Sequence, residues 1–318
     1  MGLLEIILIV VGVLLLGGVV AMVAYTYPIA KRVYHEQLVR TSPEKWGRTC
    51  SFPDDAEQVQ MWHDGIAWME KNKDKITELQ IENDGLKLFG QYFDFGKERC
   101  VVILPGRCES LVYSYYFAPP YEQAGFNVLV IDTRCHGKSD GIYNTIGVQE
   151  SRDVLAWCKL AHEKFGNKEI YFHGICIGTS SGLFALTAKD RPDYLRGLVT
   201  EGCYVSFRET FRTHMLALKR PIFPVLQFVM MLIYRYTGTN VYKYKPISAI
   251  KQLAPDCRVL FLYGEKDIFS IPPKSRQLFA ACSSQDKKLV WFDKGGHSHL
   301  RINNTEKYDK AIVEFFEK

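Results

Sequence analysis

The stretch FHGICIGTSSG, residues 172–182, decides the fold because it has the composition of a sharp turn between a strand and a helix. A β-branched and aromatic run precedes it, and the small residues that end it suit a closely packed helix. Gly174 and Gly178 frame Cys176 at the centre of this turn. Glycine is needed where a Cβ atom would collide with neighbouring backbone. The pattern predicts that Cys176 projects from the edge of a sheet.

Predicted strands and helices alternate on both sides of this turn. Continuous apolar runs typical of buried strands are CVVILPG, NVLVIDTR, EIYFHG, LRGLVTEG, CRVLFLYG and KKLVWFD. Upstream, KITELQIEN and LKLFGQYFDF are joined by Asp84-Gly85, which predicts an antiparallel hairpin. This order predicts an α/β fold with a mostly parallel, doubly wound sheet. A chain of 318 residues can form it as one large domain.

Composition excludes several classes of function. The formal charge of +5 is modest and has no basic stripe with interleaved aromatic residues, so no nucleic-acid partner is expected. The nine cysteines include no C-x-x-C pair, which argues against a zinc ribbon and a disulfide framework. Reduced thiols, a cytoplasmic domain and the absence of any cofactor or metal are expected. The sequence leaves the oligomeric state open.

The N-terminal segment is the strongest compositional signal. Ile6–Ala30 contains no charged residue and, as a helix, exceeds the roughly 30 Å hydrocarbon core of a bilayer. We therefore predict a transmembrane anchor over residues 1–30; the alternative is a cleaved signal peptide, but Glu5 precedes the apolar run and no Lys or Arg does. Basic residues follow the run, so the positive-inside rule predicts a single-pass membrane protein with a cytoplasmic catalytic domain.

The rest of the chain divides into two parts. Residues 31–75 predict a short membrane-exit helix, a linker and a docked helix, whose packing face would carry Val59, Trp62, Ile66 and Met69. We predict that residues 76–318 form the catalytic domain. Within it, residues 206–245 predict an apolar helical lid, broken at two prolines. Such a lid suits a lipophilic substrate or contact with lipid, and a buried cap core is the alternative.

Four ordered motifs around Cys176 resemble those of the α/β-hydrolase family. ILPGRCES resembles the oxyanion loop, with Pro105 where the family has histidine, and DTRCHGKSDG resembles the loop after the fourth strand. LFLYGEKDIFSIP places Asp267 at the position of the family's acid, and WFDKGGHSHL places His297 at that of its histidine. The resemblance covers residue 76 to the C-terminus. Together with the apolar segment, the chain is most similar to bacterial membrane-anchored hydrolases of the serine-aminopeptidase-like branch.

The resemblance implies acyl transfer through a Cys176–His297–Asp267 triad, with cysteine in place of the usual serine. The backbone N–H groups of Arg107 and Ile177 would form the oxyanion hole. The substrate would be a small molecule or acyl compound containing an ester, thioester, lactone or amide bond. The alternative is a catalytically inactive scaffold that acts as a thiol-based sensor or binding module.

Two further cysteines lie in loops at the predicted edge of the sheet that carries Cys176. Cys108 and Cys135 suggest a disulfide, a resolving pair for an oxidised Cys176, or a metal site with His297. Independent small apolar residues are the simpler interpretation. The Arg107 side chain either contacts an anionic or carbonyl-bearing substrate or decorates its loop.

Overall fold

The computed structural model describes residues 2–317, in which strands and helices alternate. The strands are β1 (Ile76–Asn83), β2 (Leu86–Phe93), β3 (Arg99–Leu104), β4 (Phe126–Ile131), β5 (Glu169–Ile175), β6 (Leu195–Glu201), β7 (Arg258–Gly264) and β8 (Lys287–Phe292). The helices are α1 (Leu3–Leu38), α2 (Ala56–Lys71), α3 (Leu111–Tyr116), α4 (Pro119–Gln123), α5 (Glu150–Phe165), α6 (Ile177–Leu186), α7 (Phe207–Ala217), α8 (Val225–Thr237), α9 (Pro246–Ala249), α10 (Pro272–Ala281), α11 (Leu300–Asn303) and α12 (Thr305–Phe316).

The strands form one sheet in the order β1-β2-β4-β3-β5-β6-β7-β8. β1, β2 and β4 pair antiparallel, and the remaining neighbours pair parallel. Asp84 and Gly85 turn the β1–β2 hairpin with φ angles of 50° and 73°. The predicted hairpin and mostly parallel sheet are confirmed. Since β3, β5, β6 and β7 are parallel neighbours, the loops that follow them gather at one edge.

Helices cover both faces of the sheet. The helices α5, α6 and α10 pack on one face with Trp157 and Phe172, and α2, α3, α4 and α12 pack on the other with Tyr121 and Phe126. Strand β3 contributes to both cores, because Val102 points to the first face and Val101 to the second. This two-sided burial explains why its sequence is apolar without alternation.

The docked helix α2 is turned slightly from its predicted orientation. Its most buried residues include Met61, Gly65 and Trp68, whereas the predicted face with Trp62 is only partly buried. Gly65 accounts for the difference because it lets α2 approach α3 closely. A Cβ atom there would lie 3.0 Å from the backbone nitrogen of Tyr116.

The structure differs from the prediction at the end of the apolar segment. No separate membrane-exit helix follows residue 30, because α1 continues unbroken to Leu38. Residues 3–25 are exposed along their whole length, and packing against the body begins at Thr26. Pro28, three residues before Lys31, is of a type that often ends or kinks a helix, yet α1 contains it and continues into the charged residues.

The lid region lies between β6 and β7 and consists mainly of α7 and α8, with Pro221 and Pro224 between them. Most of its apolar side chains are buried against the C-terminal part of α1. Phe211 and Ile233, for example, share one cluster with Tyr34. The apolar character of the lid therefore serves largely to bind α1 to the domain.

Candidate active site

Cys176 lies in a strained turn between β5 and α6. Its backbone has φ 51° and ψ −112°, a conformation that is rare for residues other than glycine. A Cβ atom on Gly174 would lie 2.5 Å from Cα of Thr179, and one on Gly178 would lie 2.1 Å from the carbonyl oxygen of Leu104. Gly174 is therefore required for the close approach of β5 to α6, and Gly178 for the packing of the turn against β3. The turn places Cys176 at the wall of a cavity, partly exposed.

His297 and Asp267 come from two further loops at the same edge of the sheet. Nδ1 of His297 lies 2.8 Å from Oδ2 of Asp267. Oδ1 of Asp267 accepts hydrogen bonds from the backbone N–H groups of Phe269 and Ser270, at 2.8 and 2.7 Å. The carboxylate is thus fixed by its own loop and turned toward the imidazole.

The electrostatic setting of His297 favours the protonated ring. Burial by itself lowers the pKa of His297, but the charges of Asp267 and of a Cys176 thiolate outweigh burial and raise it well above its usual value. Burial also opposes the charge of Asp267, and its bonds to His297 and to the loop N–H groups still lower the pKa of Asp267. Within residues 2–317, Nε2 of His297 is buried and has no hydrogen-bond partner of normal geometry.

The expected oxyanion donors are the backbone N–H groups of Arg107 and Ile177. Neither group donates a hydrogen bond to another group of the described chain. Ile177 is the first residue of α6, where an N–H group has no partner within the helix. These two amides are available to an external acceptor, and the positive end of the α6 dipole lies beside Cys176.

The loop that carries Arg107 is fixed from two sides. Nε2 of the buried His136 donates to the carbonyl oxygen of Arg107 at 2.5 Å, which gives this histidine a structural role. Nη1 of Arg107 donates to the carbonyl oxygen of Gln37, near the end of α1, at 2.8 Å. The guanidinium thus contacts α1 through one nitrogen, and Arg107 also lines the cavity beside Cys176. The apolar helix and the oxyanion loop are therefore directly connected.

The cavity beside Cys176 has a volume of about 230 Å³. Phe52 and Phe269 contribute apolar wall, and His214 stacks on Phe269 with ring centroids 3.7 Å apart. Burial, together with nearby positive charge, lowers the pKa of His214 to about 3, so this ring is neutral. An acyl group of modest size fits a space of this volume and lining.

The sequence interpretation did not anticipate two cavity residues, Glu109 and His214. Glu109 is buried and accepts hydrogen bonds from the N–H of Gly106 at 2.9 Å and from the Gln58 side chain at 3.3 Å. Burial raises the pKa of its carboxyl. Glu109 lies only two residues beyond Arg107, so its position in the same loop was the available signal. The sequence carries no such signal for His214, because a lid helix can turn any of its faces inward.

The suggested roles of the other two cysteines are not supported by the geometry. All cysteines are free thiols, and no three His, Cys, Asp or Glu side chains within residues 2–317 are arranged to hold a metal ion. Cys108 lines the cavity with Cys176, whereas Cys135 is fully buried, where burial raises its pKa well above the usual value. Cys135 therefore behaves as a small core residue.

Known proteins are similar to this chain in sequence or in fold. A family model described as "alpha/beta hydrolase fold" matches residues 99–219. Protein bem46 of Schizosaccharomyces pombe is 28% identical over 61% of this chain, and the chain spans 59% of that protein's length. An uncharacterized membrane protein of Saccharomyces cerevisiae, YNL320W, is 25% identical over 58% of this chain and 59% of its own length. The Pyrococcus furiosus esterase Pf2001 superposes with a TM-score of 0.64 at 20% identity, over 78% of this chain and 93% of the esterase.

The chain has the α/β-hydrolase fold, with an eight-stranded, mostly parallel sheet and an N-terminal apolar helix that is long enough to span a membrane.

Proposed function

We propose that this protein is a membrane-anchored hydrolase that cleaves an ester, thioester, lactone or amide through an acyl-enzyme on Cys176. The observation that carries the proposal is the hydrogen bond of 2.8 Å between His297 and Asp267, with Nε2 of the same ring unpartnered among the described residues. That ring and Cys176 line one cavity. An imidazole steadied in this way can exchange a proton with the thiol.

Acylation begins with the thiolate of Cys176 and the protonated His297. The sulfur attacks the substrate carbonyl carbon, and the N–H groups of Arg107 and Ile177 hold the resulting oxyanion. The tetrahedral intermediate then expels the leaving alcohol, thiol or amine, which takes the proton from Nε2 of His297. The product of this half is a thioester between the acyl group and Cys176.

Deacylation uses the same groups in reverse order. The neutral His297 removes a proton from a water molecule, and the hydroxide attacks the thioester carbonyl. Collapse of the second tetrahedral intermediate breaks the carbon–sulfur bond and releases the carboxylic acid. The thiolate of Cys176 and the imidazolium are restored, and Asp267 stabilises the positive ring throughout.

Membrane attachment is part of the proposal because of α1. Residues 6–25 of α1 contain no charged side chain and are exposed along their whole length. Lys31 and Arg32 follow this segment, and by the positive-inside rule this charge supports a cytoplasmic catalytic domain. The yeast relative carries the name of a membrane protein. Addition of protease to intact cells should leave the domain uncut, and cleavage after Lys31 would contradict this orientation.

A comparison of single-cysteine variants tests the nucleophile. With p-nitrophenyl acetate, Cys176→Ala should lower kcat on the order of 10³-fold or more, because no other group can form the acyl-enzyme. Cys108→Ala is the matched control, since Cys108 lines the same cavity and should leave kcat nearly unchanged. Mass spectrometry should show a transient acetyl group on the peptide that contains Cys176.

The same experiment distinguishes an enzyme from an inactive thiol scaffold. A wild-type protein that is alkylated at Cys176 by iodoacetamide and has no turnover above Cys176→Ala would support the sensor. Equal turnover in wild type, Cys176→Ala and Cys108→Ala would show that hydrolysis arises at another site.

A further inference from the structure

The body of the protein begins where the free part of α1 ends. Residues 3–25 project from the domain and rise about 34 Å as a helix, close to the roughly 30 Å hydrocarbon core of a bilayer. Thr26 and Ala30 are already buried against the domain, and the helix is continuous through this point. No flexible linker separates the spanning segment from the domain. The surface beside Thr26 therefore lies at the level of the lipid headgroups.

Helix α8 shows which part of the lid occupies that level. The ring of Phe228 lies 5.6 Å from that of Tyr27, and the ring of Tyr236 lies 5.5 Å from that of Tyr34. Residue numbers thus increase together along the two helices, so α8 runs beside α1 in the same direction. The N-terminal end of α8 points toward the free part of α1, which is the membrane side.

The segment before α8, residues 216–223, is here called the lid corner. It packs beside α1, because Nη2 of Arg220 lies 2.8 Å from Oε2 of Glu36. Its apolar side chains face outward: Phe223 is 70% exposed, Leu218 53% and Leu216 48%. Outside α1, Phe223 is the most exposed large apolar side chain in the described chain. In water, this exposure would be unfavourable by about 25 cal/mol per Å² of apolar surface.

Basic side chains are exposed on the lid and on α1, and among them the acidic Glu36 pairs with Arg32 and Arg220. Lys219 and Arg212 are exposed on the lid, and Lys31 and Arg32 are exposed on the facing part of α1. An exposed aromatic ring flanked by basic side chains suits the boundary between acyl chains and anionic headgroups. Binding of a protein partner would not require the lid corner to lie level with the end of the free part of α1.

We infer that the lid corner inserts Phe223 and Leu218 into the interface of the bilayer that α1 spans, so that the domain has two membrane contacts. The inference rests on the proposed spanning role of α1. With two contacts, the domain cannot swing about α1. His214, which lines the cavity, lies on α7 only two residues before the corner. The lid corner thereby connects the lipid surface to the wall of the cavity.

Photo-crosslinking of the full-length protein tests the second contact. The photoreactive residue p-benzoylphenylalanine replaces Phe223, Tyr242 or Leu14 in separate samples, each reconstituted into vesicles of phosphatidylcholine and phosphatidylglycerol. Tyr242 is the matched control because it is an exposed aromatic residue, 53% accessible, beyond the other end of α8. Leu14 reports on the span itself. Lipid adducts are counted by mass spectrometry after irradiation.

The expected result is a lipid adduct at Leu14 and at Phe223, with at least about tenfold less at Tyr242, since α8 separates Tyr242 from the surface by about 20 Å. An adduct at Leu14 with Phe223 no higher than Tyr242 would overturn the second contact and leave the anchor intact. Absence of an adduct at Leu14 would overturn the span and the second contact together. Neither result depends on hydrolytic activity.

Discussion

At the scale of single residues, the site depends on charges that are held close together. Asp267 is fixed by two backbone N–H groups, and His297 receives its support through one nitrogen. The strained backbone of Cys176 is maintained by the packing around it, as is common for residues that act chemically. Cysteine suits this arrangement, since a thiol ionises more readily beside an imidazolium than a serine hydroxyl does.

Asp267→Asn should weaken the Cys176–His297 ion pair. Removing the carboxylate charge lowers the pKa of His297, because this charge is the largest effect that raises it. Alkylation of Cys176 by iodoacetamide should therefore become slower at neutral pH, and kcat should fall on the order of 10²- to 10⁴-fold. An unchanged alkylation rate between pH 5 and 9 would contradict the assignment of Asp267. Asp55→Asn is a suitable control. Asp55 lines the same cavity, but its carboxylate neighbours His299, at 3.5 Å, whereas His297 is paired with Asp267.

At the scale of elements, the contact between α6 and β3 sets the position of Cys176. Gly178 lies against the carbonyl of Leu104 at the end of β3. The loop after β3 continues to Arg107, whose carbonyl is held by His136 and whose side chain binds α1. Cys176, the loop of Arg107 and the apolar helix are therefore joined through short, direct contacts.

Gly178→Ala should disrupt this junction. Its Cβ atom would lie 2.1 Å from a backbone oxygen, so α6 or β3 must move. We expect a loss of roughly 2–4 kcal/mol in the free energy of unfolding, and a lower kcat in any folded fraction. Gly182→Ala in the same helix is the control, since its Cβ atom would meet only side-chain atoms at 3.3 Å. Denaturant unfolding of the two variants measures the difference, and equal midpoints would contradict the prediction.

At the scale of the whole molecule, a buried polar network links the site to the C-terminal helix. Glu201, at the end of β6, accepts hydrogen bonds from the Tyr308 hydroxyl at 2.5 Å and from the N–H of Leu300 at 3.4 Å. Its carbonyl oxygen accepts the N–H of Cys176 at 2.8 Å. Burial raises the pKa of the Glu201 carboxyl to about 7. The network thus holds the loops of Cys176 and of His297 against α12.

Glu201→Gln should change how stability depends on pH. The folded protein binds the Glu201 proton more tightly than the unfolded chain does, so ionisation of this group lowers stability as the pH rises from about 4.5 to 7. The variant has no such ionisation. Across that pH range, its free energy of unfolding should therefore rise relative to that of wild type by on the order of 3 kcal/mol. Thermal unfolding at several pH values measures the change. Glu163→Gln, on a side chain that is 62% exposed, should follow wild type.

The sequence by itself determined the secondary structure, the sheet and the order of the motifs. Strand runs such as CVVIL at β3, the Asp84-Gly85 hairpin and the glycines around Cys176 are local signals, because each reflects the backbone conformation or burial of its own segment. They predict the fold, and by resemblance they indicate Cys176, Asp267 and His297. The structure places these three at one edge of the sheet, and their catalytic roles remain the proposal tested above.

Only the tertiary structure decided what surrounds that edge. The continuation of α1 to Leu38, the bond from Arg107 to Gln37, the burial of Glu109 and the inward face of His214 depend on which elements meet. Such contacts join residues far apart in the chain, and no local pattern encodes a partner at that distance. The exposure of Phe223 also depends on tertiary structure, because its position relative to α1 arises from the packing of α8.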